Sequence, residues 1–305
     1  MLKLYQSNRL EYLVELLARL LSATPIDPFC PETLVVQHQG MARWLSLRLA
    51  ERLGVCANFR FPLPAGFIWQ TYRLLVERAP QENRFDPSVM QWRIYQLLGE
   101  LKDEPGFAPV RAYLDGGDET GRLDLSQRIA QCFDQYLVYR PDWISRWEAG
   151  REACSGDRWQ ASLWRHLRAS LQGEHWVDVQ QALFDSALSD GLRTDKLPQR
   201  VALFGMPALS PGYLQLLQQL SGWMDIHLFL LNPCQAHWAD IVDPAEKQSR
   251  ELSAREPALY LEVGNPLLAS LGRQGRDAFA MLLEHDPGSH ELFEEAQDDC
   301  LLHLL

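Results

Sequence analysis

Several kinds of sequence signal are missing from this chain, and each absence removes a class of function. No apolar run approaches the roughly 20 residues that a bilayer-spanning helix needs. The first residues, MLKLYQSNRLEYLVELL, place acids inside the apolar stretch, unlike a secretory signal. The six cysteines (Cys30, Cys56, Cys132, Cys154, Cys234, Cys300) are scattered, with no CxxC pair. That argues against a zinc site and a disulfide framework, and fits a cytoplasmic protein with reduced thiols. Lysine is scarce: Lys3, Lys102, Lys196 and Lys247 are the only four among 29 cationic residues. Arginine is the better partner for bidentate phosphate contacts, although a GC-rich coding bias produces the same skew. A net charge of -11 argues against a free-standing, nonspecific DNA binder while leaving room for a local basic groove.

A phosphate loop is also missing. Nucleotide cradles of the GxxxxGK[ST] type use bare backbone amides, a lysine and a hydroxyl on magnesium. The turn after the first apolar strand is Gln6-Ser7-Asn8-Arg9, without glycine or lysine, so ATP is not expected there. Two later strands run into Gly205 and Asn232 rather than the acidic magnesium ligand of an ATPase. The clustered carboxylates and lysine of a metal-dependent phosphodiesterase are not in evidence either, which discounts a nuclease site.

With 305 residues, 47% hydrophobic and 23% charged, the chain has the composition of an ordinary globular protein of one to three domains. Its organising stretch runs from Thr33 to Trp69. Leu34-Val35-Val36 reads as a fully buried strand. A polar exit, Gln37-His38-Gln39-Gly40, leads into a helix whose apolar stripe is Met41, Trp44, Leu45, Leu49 and Leu53, stopped by Gly54. In an open α/β sheet the carboxyl ends of strands form the ligand crevice, which places Gln37, Gln39 and Arg43 where a ligand is expected. Arg43, read in the first helical turn, opposes the helix dipole. It is either a solvated surface arginine or a cation awaiting an outside anion. The prolines of Asn58 to Pro64 favour extended chain, and a second helix is expected from Phe67-Ile68-Trp69. Trp69 is either a core anchor or a stacking platform.

Around this stretch, Leu2 to Tyr5 reads as a short strand. Asn8 with Glu11 resembles a capping box opening a helix with stripe Leu10, Leu13, Val14, Leu17, Leu20 and Leu21, ended by Thr24-Pro25. Two consecutive strand–helix units imply an α/β fold with a doubly wound parallel sheet. Helical patterns dominate from 86 to 195, broken at Pro105-Gly106, Gly116-Gly117, Arg140-Pro141 and Gly173, and read as a helical insertion. The expected division is therefore 1–85 with 196–305, and 86–195. Within the insertion, Phe133 to Trp143 mixes arginine with aromatics, a pattern of single-strand grip or of a packed helix end. Val201 to Phe204 and Ile226 to Leu231 return to strand, with a helix from Tyr213 to Leu220 between them and His227 as a structural histidine. Beyond Asp240 the chain reads as irregular until Gly264 to Gly272 opens another helix, and its apolar last residues, Cys300 to Leu305, read as a cut end.

YQSNRLEYL, VVQHQGMARWLSLRLAERLGVCANFRFPLPAGFIW, FDQYLVYRPDW, LFGMPALSPGYLQLL, LFLLNPCQAHWADI and GNPLLASLGRQGRD occur in that order. Together they resemble the N-terminal part of the gamma subunit of bacterial exodeoxyribonuclease V, the RecC family. The resemblance implies a superfamily 1 helicase-like domain 1A that has lost its ATPase motifs, with a domain 1B insertion. It implies no catalytic residues and no cofactor in this chain, with ATP and Mg used by the partner beta and alpha subunits of the heterotrimer. It further implies a subunit that helps split the duplex, guides single-stranded DNA and scans it for the recombination hotspot Chi. Carried over motif by motif, the DNA-binding candidates are Gln37, Gln39, Arg43, Leu63, Trp69, Gln131, Asp134 and Arg140; nothing is carried to Asp178. Amides can read base edges, Trp69 could stack on a base, Arg43 and Arg140 could hold phosphates, and Asp134 would accept from an exocyclic amine or orient an arginine. The competing reading is a purely structural scaffold that docks the motor subunits.

Overall fold

The computed structural model describes residues 1–76, 79, 82–104, 106–187, 196–206, 209–235, 237–238, 240–253, 262–284 and 288–294. The chain opens with strand β1 (Leu2–Ser7), helix α1 (Leu10–Ala23), β2 (Glu32–Val36), α2 (Gln39–Leu53), β3 (Phe59–Arg60) and α3 (Pro64–Leu75). Six helices follow: α4 (Pro87–Leu101), α5 (Ala108–Asp115), α6 (Glu119–Tyr139), α7 (Pro141–Glu148), α8 (Arg158–Leu171) and α9 (Trp176–Ala187). The return is β4 (Arg200–Phe204), α10 (Pro211–Leu220), β5 (Asp225–Leu231), β6 (Ile241–Val242), α11 (Pro244–Ser253), β7 (Glu262–Val263), α12 (Pro266–Leu271), α13 (Arg273–Leu283) and β8 (Gly288–Glu291). Two compact units result, Met1–Thr71 with Thr194–Leu305, and Tyr72–Arg193.

The first unit is built on a six-stranded sheet of order β3-β2-β4-β5-β1-β8, parallel at every pairing. Register runs from Leu2 opposite Ile226 to Ser7 opposite Leu231, and Val36 lies opposite Phe204. The apolar runs that make these strands are buried on both faces, with Leu34, Val35 and Val36 at 1%, 0% and 0% exposure, as parallel strands require. From β1 the chain steps one way to β2 and β3, then returns at β4 and steps the other way to β5. Because crossovers keep one hand, that reversal puts helices on both faces. One face carries α1 and α2, whose Leu13, Leu17, Leu45 and Leu49 pack with Tyr5, Leu34, Val36, Phe204 and Phe229. On the other, Leu203, Leu228 and Leu230 face Ala278 and Leu282 of α13. Truncating a fully enclosed leucine such as Leu45 or Leu49 to alanine should cost about 2–5 kcal/mol.

At the opposite, amino edge of the sheet, buried Arg200 of β4 clamps its neighbours. Its Nε donates to Glu32 Oε2 of β2 at 3.0 Å, and its Nη1 donates to the carbonyl and hydroxyl oxygens of Thr24, both at 2.6 Å. That closes the end of α1 over β2. His227 is the structural histidine expected in β5: its Nδ1 lies 3.1 Å from the Tyr5 hydroxyl, and burial pushes its pKa down to about 4.

The regular elements described in the second unit are all helices. Phe85, Phe107, Phe133, Trp147 and Trp164 are enclosed at 0–1% exposure, with edge-to-face contacts of Phe133 on Trp147 and Trp164. Buried Asp157 closes the α7–α8 loop by accepting from Trp147 Nε1 and the amides of Ala153 and Cys154 at 2.8–3.0 Å. Burial raises the pKa of its carboxyl, and these donors outweigh that and hold it below the usual range. The chain enters this unit at Tyr72, inside α3 and earlier than residue 86. The reason lies in contacts made by that connecting stretch: Tyr72 donates to Glu174 at 2.8 Å and Phe85 packs on Trp164 and His175.

Some local expectations need correction. α1 is not opened by an Asn8 capping box: its N-cap is Arg9, with no side-chain cap bond, because the Asn8 amide is engaged elsewhere. α3 starts at Pro64, where the fixed φ of proline suits the first helical position. Arg43 lies in the second turn of α2, since the helix starts at Gln39. Arg140 ends α6 and also opens α7, with Pro141 at the first position, so the break expected there is a helix–helix joint. The stretch after Asp240 contains α11, a polar helix. The supposed cut end, Cys300 to Leu305, lies outside the described residues.

Candidate nucleic-acid interface

At the carboxyl edge of the sheet the two halves differ. On the β2–β3 side, Gln37, Gln39, Arg43 and Leu63 are all exposed. Val36 N donates to Pro62 O at 3.1 Å, which brings the exit of β3, and with it Leu63, beside Gln37. His38 caps α2: its Nδ1 accepts from Met41 N at 3.1 Å. A Cβ on Gly40 would come within 3.1 Å of that nitrogen, so glycine makes room for the ring. Gly205, at the exit of β4, has φ +67, and a Cβ there would sit 3.3 Å from Met41 Cε. Two amides, an arginine and a leucine thus stand on a rigid strand–helix junction. Such groups can offer donors and acceptors to base edges, a cation to phosphate and an apolar shelf.

The β1–β5 side is filled. Gln6, Ser7 and Asn232 are 3%, 0% and 3% exposed. Asn232 Nδ2 donates to Gln6 Oε1 at 2.8 Å, and its Oδ1 accepts from Trp238 Nε1 at 2.8 Å and from Cys234 N at 3.3 Å. Gln6 Nε2 donates onward to Ser289 Oγ at 3.0 Å. The Asn8 amide clasps the backbone of Glu294, donating to its carbonyl at 2.7 Å and accepting from its N–H at 3.2 Å. Glu294 also pairs with Arg9 at 2.7 Å. Its carboxylate takes a hydrogen bond from Tyr12, which raises the pKa of that phenol. The turn where a nucleotide-binding sheet would cradle phosphate is therefore closed by the chain's own residues 289–294.

Of the remaining candidates, Trp69 sits in α3 at 6% exposure. Between the two roles weighed for it, the packing is that of a core anchor, since a stacking platform needs an open ring face. Gln131, Asp134 and Arg140 belong to the helical unit, apart from the sheet unit that holds the others. Gln131 is exposed and Asp134 half-buried, one turn apart on α6. Burial, then the nearby Asp86 charge, raises the Asp134 pKa. The Arg140 guanidinium lies 5.5 Å from the centre of the Trp143 ring, beside exposed Tyr139.

One cluster was not foreseen. His175 Nε2 is 2.8 Å from Glu148 Oε1, and Asp178 Oδ2 accepts from His175 N at 2.9 Å and Arg168 Nη2 at 2.7 Å. Asp178, the residue to which the resemblance assigned nothing, thus completes a capping box at the start of α9. Burial raises the Glu148 pKa, but hydrogen bonds from His175 and Trp164, with the Arg168 charge, hold its carboxyl below the ordinary value. Two carboxylates and a histidine within 4.8 Å could ligate a metal. With Arg168 already bonded among them, the set reads instead as an internal charge network. No spacing in the sequence announces it, because its members come from three helices.

A family model, RecC, N-terminal domain, matches residues 2–305. The chain belongs to the RecC N-terminal domain family. Similar proteins include the RecBCD enzyme subunit RecC of Escherichia coli strain K12, 37% identical, covering 99% of this chain and 30% of that protein. The subunit of the same name from Haemophilus influenzae is 36% identical, covering 93% of this chain and 31% of its own length. That of Mycolicibacterium smegmatis is 31% identical, covering 93% and 26%. This RecC domain thus spans about a third or less of the relatives it matches. The described residues include no helix long and apolar enough to cross a membrane.

Proposed function

We propose that this chain is a non-catalytic, helicase-like, DNA-binding part of a RecC subunit, with its sheet unit as a 1A-like domain and its helical unit as a 1B-like insertion. Assembled with the beta and alpha subunits of exodeoxyribonuclease V, it guides unwound single-stranded DNA and scans it for Chi. The observation that carries this reading is the contrast along one sheet edge. The β1–α1 turn, where an ATPase holds phosphate, is occupied by Asn8 and Arg9, each bonded to Glu294. The β2–α2 exit keeps Gln37, Gln39 and Arg43 exposed. Gln37 and Gln39 read base edges, Arg43 holds a phosphate and Leu63 supports a base. Trp69 acts as a core anchor of α3. In the helical unit, Arg140 backed by Trp143 offers a second phosphate contact, Gln131 an amide, and Asp134 an acceptor for an exocyclic amine. ATP and Mg serve the partner subunits, and ATP hydrolysis by this chain alone would contradict the proposal.

A scaffold that only docks the motor subunits is the second reading. It is favoured by an apolar, outward face on α4, where Val89 and Trp92 are 43% and 57% exposed one turn apart. Gln37→Ala and Arg43→Ala in the assembled three-subunit complex separate the two. Lost hotspot response with intact assembly supports the reader, and lost assembly supports the scaffold.

A further inference from the structure

Among the described residues, two histidines cap helices with the same atom. His175 Nδ1 faces Asp178 N at 3.4 Å at the start of α9, and its Nε2 faces the Glu148 carboxylate at 2.8 Å. A ring that accepts at Nδ1 while neutral carries its proton at Nε2, so the capping bond decides which nitrogen donates. At the start of α2, His38 Nδ1 accepts from Met41 N at 3.1 Å, which again leaves the proton on Nε2. Here the parallel stops: among the described residues that N–H has no hydrogen-bond partner. His38 is exposed, between Gln37 and Gln39, on the open half of the carboxyl edge.

We propose that His38 is a further DNA-contacting residue of the ledge, an imidazole whose Nε2–H donates to an acceptor oxygen or nitrogen of the guided single strand. This deepens the reading of the chain as a DNA-guiding subunit and rests on it. The cap gives the ring a fixed orientation that a free surface histidine lacks: with Nδ1 accepting from Met41 N, Nε2 is the nitrogen left to donate. The contact is therefore that of a single fixed donor beside two amides that can both donate and accept, and it suits a base acceptor or a phosphate oxygen.

The test uses the assembled three-subunit complex and a forked duplex with long single-stranded tails, with binding followed by fluorescence anisotropy. His38→Ser keeps a short oxygen able to cap α2 but removes the outward donor. His38→Ala removes both, and Gln37→Ala and Arg43→Ala report on the ledge itself. Loss of one such hydrogen bond corresponds to about two- to tenfold weaker binding. The inference expects that loss from His38→Ser with an unchanged melting temperature, and at least as much from His38→Ala. If His38→Ser binds like the parent while Gln37→Ala and Arg43→Ala bind more weakly, the donor role is wrong although the ledge stands. The donor role fails equally if His38→Ala alone is weakened, since His38 is then only a cap. If none of the four weakens binding, the ledge reading fails and this inference goes with it.

Discussion

Two halves of one edge of a single parallel sheet have opposite fates. On the β1–β5 half, buried Gln6 and Asn232 spend their hydrogen bonds on each other, on Trp238 and on Ser289. On the β2–β3 half, Gln37 and Gln39 remain exposed. A buried polar group left without a partner costs about 1–3 kcal/mol, so a closed network can persist only if each member is answered. An exposed amide has no such obligation and stays available to a ligand. The difference shows two ways of finishing one sheet edge: one half is packed with the chain's own polar groups, and the other is left to solvent.

The sharpest way to break the contrast is inside the closed half. Asn232→Leu would strand Gln6 and Trp238 together, and should destabilise the protein by roughly 2–4 kcal/mol in urea unfolding. Next comes pH. His227 is held neutral, its pKa down to about 4 from an ordinary 6.5, so the unfolded chain takes up a proton before the folded one does. Stability is therefore full above about pH 6.5 and falls as pH drops toward 4, by up to ~3 kcal/mol. His227→Gln should flatten that part of the profile of melting temperature against pH. A smaller loss, under about 1 kcal/mol, is expected from Glu294→Ala, whose pairing with Arg9 is partly exposed and should weaken with salt. Smallest of all, Gln37→Ala and Arg43→Ala should shift stability by no more than about 0.5 kcal/mol, because exposed side chains answer no buried partner.

The same contrast explains what could be read from the residues alone. Apolar runs such as Leu34 to Val36 and Ile226 to Leu231 are strands in the structure as the pattern predicts, because a parallel sheet writes its burial directly into local hydrophobicity. Closure of the β1–α1 turn could not be read that way. Asn8 pairs with a residue 286 positions away, and its local spacing to Glu11 points to a different bond. The caps at His38 and His175 are not legible in the sequence because histidine is not among the usual N-cap residues. Trp69 looks the same at the level of sequence whether core or platform, and only its burial separates the two. The α11 helix has too few apolar residues for periodicity to reveal it.

The most direct measurement of the central claim is photo-cross-linking in the assembled complex, with a photoreactive residue placed at position 37 or at position 8, bound to forked DNA with long single-stranded tails. The account predicts DNA adducts from position 37 and none from position 8. Adducts from position 8, or none from position 37 in a complex that still binds and unwinds DNA, would contradict it.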